Sequence, residues 1–438
     1  MLRRGKMPSP SRVQGATAMS TKALSKPLIA VIVIVVIIAI AGVLAFYFYT
    51  TPPARPAKDK IVIGYVDAFT GVFAPGPQMW GTIWMELLVD NYNKAGGLYV
   101  PELGKKLPVQ LIKYDSKSDT ETLIRLTEKC MAEDKVDFMF APWGTSQNFA
   151  VLPLYEKYGY PLIAHAMGSC QVYDMVKSGA SKWVFPVLCQ PPFGAKYVAD
   201  FLEWLGVKRM AIIGISDLHG IEWTGSVKAE VAARGIEVVL GPELYPLTVT
   251  DLSPIIKKLK ELGVDVLWAS TYPADGSLLI KQSMELSYCP RVIFMGPGSQ
   301  YPAIMVPQFG VKAMTGIMEY HGFEVDYKSS PKLLELAEKY KERVGYYPGP
   351  NTIASYVCNE VLFKAIEKYG LDRAKIRDAL RAGEAFDTVV GPTKFDAKNV
   401  YFDAPGAGYL CQWQGEEILK VIWPLDRATA KWIPKTSW

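Results

Sequence analysis

Histidine, cysteine and catalytic signatures are all scarce in this chain of 438 residues, and each scarcity removes a class of chemistry. Only three histidines occur, His165, His219 and His321, too far apart to form a local metal pair at i, i+4. An isolated histidine is ordinarily a satisfied structural residue, which is the expectation for His165 and His321. The sequence has no G-x-x-x-x-G-K-[ST] phosphate loop, no G-x-S-x-G elbow, no H-E-x-x-H and no C-x-x-C. The common local signatures of nucleotide, hydrolase, zinc-protease and redox sites are therefore missing, so no catalytic residue, metal or cofactor is expected. The six cysteines, Cys130, Cys170, Cys189, Cys289, Cys358 and Cys411, are spread thinly, and both disulfides and buried free thiols remain open. None precedes Cys130, so a lipid-attachment cysteine near the N-terminus is absent. Excess charge is also lacking. The net charge is +5, but the first 26 residues carry +6, which leaves −1 for the other 412. A near-neutral body has no clustered Lys/Arg to neutralise phosphates, which excludes nucleic acid as a partner.

What the sequence does contain begins with a long apolar run. Leu28 to Tyr49, LIAVIVIVVIIAIAGVLAFYFY, is 22 residues without a charge. At 1.5 Å per residue it covers about 33 Å, enough for a hydrocarbon core of about 30 Å. The basic flank before it and the aromatic cluster Phe46 to Tyr49 after it fit the positive-inside rule and an interfacial belt. The run is longer than the apolar region of a cleaved signal peptide and ends in bulky rings rather than small residues, so it reads as an uncleaved, single-pass signal anchor. The N-terminus is then cytoplasmic and everything after Thr50 extracellular. Residues 1–27 form the basic tail, 28–49 the anchor, and TTPPARPAKD (residues 50–59) a proline-rich stalk.

Beyond the stalk, short β-rich runs alternate with longer amphipathic segments. Strands are expected at Ile61–Val66, Val109–Tyr114, Val136–Ala141, Pro161–Ala164, Arg209–Ile215, Val264–Ser270 and Val292–Met295. A helix is expected over Gln78–Lys94, where Trp80, Ile83, Trp84, Leu87 and Leu88 share one face. Repeated strand–helix–strand units predict an α/β protein with parallel sheets covered by helices, and about 388 extracellular residues suit two such lobes.

Ligands in doubly wound sheets bind outside the carboxyl ends of the strands, so the loops there carry the functional expectation. The first is Asp67-Ala68-Phe69-Thr70-Gly71-Val72-Phe73. The third is Ala141-Pro142-Trp143-Gly144-Thr145-Ser146, with hydroxyls where a helix begins. Such a turn offers free N–H groups and the positive end of a helix dipole, which suit a carboxylate, although hydroxyls there also serve simply as N-caps.

The order of these segments resembles the leucine/isoleucine/valine-binding proteins, the type I solute-binding proteins of ABC transporters, over residues 60 to about 425. Its carriers are IVIGYVDAFTGVFAPGPQMWG, NKAGGLYV, the stretch from VQLIKYD through APWGTSQNF to PLIAHAMG, VFPVLCQPPFGAKY, AIIGISDLHG, RVIFMGPGSQ and DTVVGPTKFDAKNV. The resemblance implies two lobes (60–186 with 319–396, and 187–318 with 397–438). Crossovers are expected near Phe185–Leu188, Met318–Tyr320 and Asp396–Tyr409. It further implies a cleft that closes on a solute, and a permease with its ATPase subunits as partners. Carried over by position, it places a carboxylate-binding turn at Thr145 and Ser146 and a second contact loop at Ala166, Met167 and Gly168. Two departures follow. His219-Gly220 stands where amino-acid binders have an aromatic residue before the glycine, and Gly298 stands where they have the acid that holds the ligand ammonium. Asp217, Glu222 and Asp275 are nearby substitutes for that acid, each more simply read as a solvated surface group. Phe69, Phe73, Trp143, Trp223 and Tyr272 are candidate walls for an apolar solute, with core packing as their alternative role. The function implied is that of a membrane-anchored binding subunit of an importer, for a branched-chain-type amino acid or a related small carboxylate or amide. A bilobed ligand sensor and an exported α/β enzyme are the alternatives.

Overall fold

The computed structural model describes residues 25–50, 58–320, 327–349, 351–396, 401–404, 410–415 and 419–438. Most of the basic tail and stalk, His321, and much of the third expected crossover lie outside the described residues. The chain forms two compact units, residues 1–58 and 59–438.

In the first unit a helix runs from Lys26 to Thr50. Its described side chains, Lys26 to Val43, are all exposed. So many β-branched residues make a mediocre helix in water. A helix of about 37 Å that satisfies its own backbone is nevertheless what a bilayer core accepts, and this is one candidate span by length and composition.

The second unit holds the parallel sheets. In the first sheet β1 (Ile61–Asp67) lies between β2 (Val109–Asp115) and β3 (Phe138–Phe140), parallel to both, with Ile61 opposite Val109 and Ile63 opposite Phe138. Next come β4 (Leu162–Ala164) and β5 (Val184–Pro186), also parallel. The second sheet contains β6 (Arg209–Ile215), β7 (Glu237–Tyr245), β8 (Val266–Thr271), β9 (Val292–Pro297), β10 (Ile317–Glu319), β11 (Leu410–Gln412) and β12 (Lys420–Trp423). Their order is β12-β11-β10-β9-β8-β6-β7. Strands β6 to β10 pair in parallel, whereas β11 and β12 add on antiparallel.

Strands β1, β3, β8 and β9 are buried on both faces, which is why they read as near-continuous apolar runs, whereas the edge strands β2 and β7 are partly exposed. Along β9 the alternation is visible residue by residue. Ile293 and Met295 enter one core, while Val292 and Phe294 enter another on the opposite face. Along β1, Ile61, Ile63 and Tyr65 face one core and Val66 the other. The architecture is two doubly wound α/β lobes of the type I binding-protein fold, as expected.

Four details differ from the sequence reading. Strand β7 was not expected, because Gly241-Pro242 interrupts its apolar run. Proline is tolerated there because β7 is an edge strand whose register with β6 shifts at Ala211, opposite Leu240. The helix expected over Gln78–Lys94 is a π-helical turn at Pro77–Thr82 followed by an α-helix from Ile83 to Lys94. At the second crossover, Glu319 is still part of β10, and Tyr320 packs on Trp223 at 4.8 Å and Trp268 at 4.7 Å. At residues 401–404 the chain is still with the first core, where Phe402 and Ala404 are buried and strand Tyr401–Asp403 pairs with Gly391–Asp396. Ring packing and strand pairing, which have no local signature, hold these two segments beyond the expected boundaries. All six cysteines are free thiols.

Candidate functional site

The carboxyl ends of the two sheets face one another across a cleft. From the first sheet's side it is lined by Trp80, Trp143, Gly144, Thr145 and Ala166. Leu188 follows β5, and His219, Tyr272 and Pro297 come from the second sheet's side. The walls approach closely: the Trp143 and Tyr272 rings are 5.0 Å apart, and His219 stacks on Tyr272 at 6.0 Å. The cavity between them is about 10 Å³, roughly the space one water needs. The walls therefore meet, and a molecule larger than water does not fit between them in this conformation.

The helix Thr145–Tyr158 starts at this cleft. Neither Thr145 nor Ser146 is its N-cap, contrary to the simpler reading of these hydroxyls. The cap is Gly144, at φ 103°, where an L side chain would be strained. The Asn148 side chain shapes the turn by donating to the carbonyls of Pro142 and Gly144, both at 2.8 Å. Thr145 and Ser146 are then the first two helical residues, and first-turn N–H groups have no intrahelical acceptor. The Thr145 hydroxyl is already engaged: it accepts from the Gly168 N–H at 3.2 Å. Ser146 is half-buried beside it.

Trp143 is set by a carboxylate that sequence reasoning did not single out. Asp67, at the end of β1, is buried. Its Oδ2 accepts from the Trp143 N–H at 2.8 Å and from the Tyr65 hydroxyl at 2.9 Å, and its Oδ1 from the Ala68 N–H at 2.8 Å. Burial raises its pKa to about 7, although the three hydrogen bonds pull the other way. The expected wall residues separate into two groups. Trp143 and Tyr272 line the cleft. Phe69 instead packs edge-on against Tyr65 at 5.3 Å in the first core, Phe73 stands behind Tyr272 at 6.3 Å, and Trp223 lies in the second-sheet core. Of the second expected loop only Ala166 lines the cleft. Met167 points into a core, and Gly168 sits between Thr145 and the His219 ring, which hydrogen-bonds its backbone. Burial lowers the His219 pKa to about 4.

Gly298 follows the cleft-lining Pro297 but does not itself line the cleft, and it has no room for a side chain. A Cβ built there would clash with Thr271 Oγ1 and stand 2.7 Å from the Tyr272 carbonyl. The nearby acids are occupied by the protein. Asp217 accepts from the Tyr272 hydroxyl at 2.7 Å and from the Gly220 N–H at 2.8 Å. Glu222 accepts from the Cys170 N–H at 2.9 Å. Asp275 is buried rather than solvated, held by the Tyr245 hydroxyl at 2.8 Å and the Tyr272 N–H at 2.9 Å, and burial raises its pKa to about 7. Among the described residues no Asp, Glu, Lys or Arg side chain lines the cleft, and its one ionisable base, His219, is held neutral by burial.

Trp80, Gly144, Leu188 and Pro297 complete the lining without having been singled out. Trp80 was read only as part of a helix face, yet it is buried with its indole N–H lacking an acceptor. His165 also departs from expectation. It is buried, but neither ring nitrogen has a hydrogen-bond partner. Among the described residues, no three His, Cys, Asp or Glu side chains gather as a metal site.

Residues 60–417 match the family described as periplasmic binding protein. The Leu/Ile/Val-binding protein homolog 7 of Brucella suis biovar 1 (strain 1330) is 24% identical over 389 residues, spanning 84% of this chain and 92% of that one. Two solved structures are similar in fold. One is a solute binding protein of an ABC transporter from Rhodopseudomonas palustris BisB5 in complex with 3,4-dihydroxy benzoic acid (TM-score 0.68, 19% identity, 81% of this chain and 93% of that one). The other is the branched-chain amino acid transporter substrate binding protein LivJ of Streptococcus pneumoniae in complex with isoleucine (TM-score 0.68, 20% identity, 83% and 100%).

Proposed function

The chain belongs to the periplasmic binding protein family, and on that premise we propose that it is the solute-binding subunit of an ABC importer whose cleft takes a small carboxylate with an apolar or aromatic body and no α-ammonium group. The observation that carries this reading is the asymmetry of the cleft. It presents the N-terminal turn of the helix at Thr145 and an indole N–H without an acceptor, but no acid, and Gly298 has no room for one. Donors without acceptors suit an anion, and the helix dipole adds to them. An ammonium group buried here would find no partner, at a cost of several kcal/mol. The aromatic lining suits a flat or branched apolar body. The relatives and fold neighbours include binders of both an amino acid and an aromatic acid, and the missing acid favours the second kind for this chain.

The helix Lys26–Thr50 holds the protein in the membrane with the binding unit outside, and the permease with its ATPase subunits receives the solute. The lobes comprise residues 60–186 with 319–396 and 187–318 with 397–438, adjusted at the second and third crossovers as described above, and they part to admit the solute. Calorimetry on the full chain with matched pairs tests the ligand class: leucine against 4-methylpentanoate, and phenylglycine against phenylacetate. The deaminated member of each pair is expected to bind at least as tightly. A free amino acid that binds far more tightly than its deaminated analogue overturns the reading.

A further inference from the structure

One face of the helix Leu218–Ala233 runs along the loop that leads into the helix Cys170–Ser178. The two helices pack on different sheets. Val172 and Val176 enter the core that Val66 of β1 faces, whereas Trp223, Val227 and Val231 enter the core that Val292 and Phe294 of β9 face. The contacts between them come from His219, Glu222 and Ser226, which share one side of their helix at i, i+3 and i+7. His219 hydrogen-bonds the Gly168 backbone. Glu222 Oε2 accepts from the Cys170 N–H at 2.9 Å, and its Oε1 accepts from the Gln171 side-chain amide at 3.2 Å. The Ser226 hydroxyl stands 3.6 Å from Cys170 Sγ. Ser169, the N-cap of the helix Cys170–Ser178, serves the Gln171 N–H, which leaves the Cys170 N–H to an acceptor from outside the helix. Glu222 is that acceptor, and a carboxylate is favoured at the positive end of a helix dipole. With these contacts made, the Trp143 and Tyr272 walls meet and leave space for about one water.

We infer that His219, Glu222 and Ser226 form a latch that holds the cleft shut against its own solute, with Glu222 as its charged member. The inference rests on the reading above that the lobes part to admit a solute. Parting them returns the Cys170 N–H and the Glu222 carboxylate to water, so the latch opposes entry. The apparent dissociation constant of a solute is its intrinsic value divided by the fraction of molecules in the form that can bind it. Weakening the latch raises that fraction, so affinity rises, which is the opposite of what losing a ligand contact does. Glu222 does not line the cleft. It is a positioning residue, acting on the solute only through the placement of the two helices.

Calorimetry on the full chain measures phenylacetate and 4-methylpentanoate in the wild type, Glu222→Gln and Glu222→Ala. Because Glu222 is only half-buried, its hydrogen bonds are partly screened, and Glu222→Ala is expected to bind about three- to tenfold more tightly, with Glu222→Gln between it and the wild type. Affinity in Glu222→Ala that is unchanged or weaker overturns the latch. Ser226→Cys works in the other direction, since its thiol stands beside the native Cys170. Oxidation with glutathione disulfide is expected to join the two and abolish binding, and dithiothreitol to restore it. Thiols that never pair, or an oxidised protein that binds as the reduced one does, overturn the latch. Hydrogen exchange without solute keeps the test independent of the carboxylate reading. Glu222→Ala is expected to speed exchange about threefold or more at residues 169–173 and equally at Thr145 and Ser146, which Glu222 does not touch. If no acid binds but exchange spreads to Thr145 and Ser146, the latch stands and the carboxylate reading falls. Faster exchange confined to residues 169–173 makes Glu222 a local helix cap, and the latch falls.

Discussion

The turns at Thr145 and Gly298 each lie just past the carboxyl end of a parallel strand, Thr145 in the cleft wall and Gly298 beside the cleft-lining Pro297, yet they are built to opposite ends. At Thr145 a positive-φ glycine opens the helix, whose first-turn N–H groups have no intrahelical acceptor. At Gly298 the Thr271 side chain and the Tyr272 carbonyl occupy the space a side chain would need. The difference teaches that recognition in this cleft is one-sided. In the proposed complex, one wall supplies helix-terminus donors and the other supplies shape without charge.

The largest effect is expected from forcing the walls to be alike. In Gly298→Glu the new Cβ meets backbone and Thr271, so overpacking of about 1–3 kcal/mol adds to the cost of a buried, unpaired carboxylate. Denaturant unfolding should show a loss of about 3 kcal/mol or more, with no tight binding of leucine gained. A stable variant that binds leucine well would mean that this wall adapts.

A smaller effect comes from weakening the donor wall. Thr145→Val removes the hydroxyl that meets Gly168 and, in the proposed complex, the carboxylate. Affinity for the bound acid should fall about tenfold to a hundredfold. Ser146→Ala should weaken binding less than Thr145→Val, because Ser146 is only half-buried. Melting and binding measured on the same variants separate recognition from a purely structural role such as the Thr145–Gly168 hydrogen bond, whose loss would lower stability by about 1 kcal/mol and leave affinity intact.

The smallest effect sharpens the comparison through Asp67, which fixes Trp143 beside the donor turn. Its folded pKa of about 7 lies above the ordinary 3.8 because the carboxyl is buried. The folded form therefore holds a proton that the unfolded chain releases earlier. That contribution to stability is fully present below about pH 4 and is lost as pH rises to about 7. Unfolding of wild type and Asp67→Asn at pH 4 and pH 8 should show the wild type's advantage larger at pH 4. An advantage that grows with pH would mean that the three hydrogen bonds outweigh desolvation and keep the group ionised.

Much of the fold was legible along the chain. Arg209–Ile215 was expected with its observed bounds, and the other expected strands end within two residues of the observed ones, because parallel strands buried on both faces are unbroken apolar runs. Strand β7 was hidden by a glycine–proline pair that only an edge position accommodates. The site was partly legible. Trp143, Thr145, Ala166, His219 and Tyr272 do meet in the cleft, since each follows a strand's carboxyl end. Phe69, Phe73 and Trp223 do not line it, and nothing local distinguishes a ring facing a cleft from one facing a core. Asp67 and His165 were equally illegible as partners, because a carboxylate 76 positions from the N–H it binds leaves no periodic trace.

By itself the sequence determined the apolar N-terminal helix, the alternation of strands and helices, and the loops that end beside one another, because these depend on composition and short-range periodicity. Tertiary structure alone decided that Gly298 has no room for an acid, that Asp67 sets Trp143, and that His165 is buried without a partner. Each depends on which atoms stand within about 3 Å of a given point, and those atoms come from distant parts of the chain brought together only when the sheets pack.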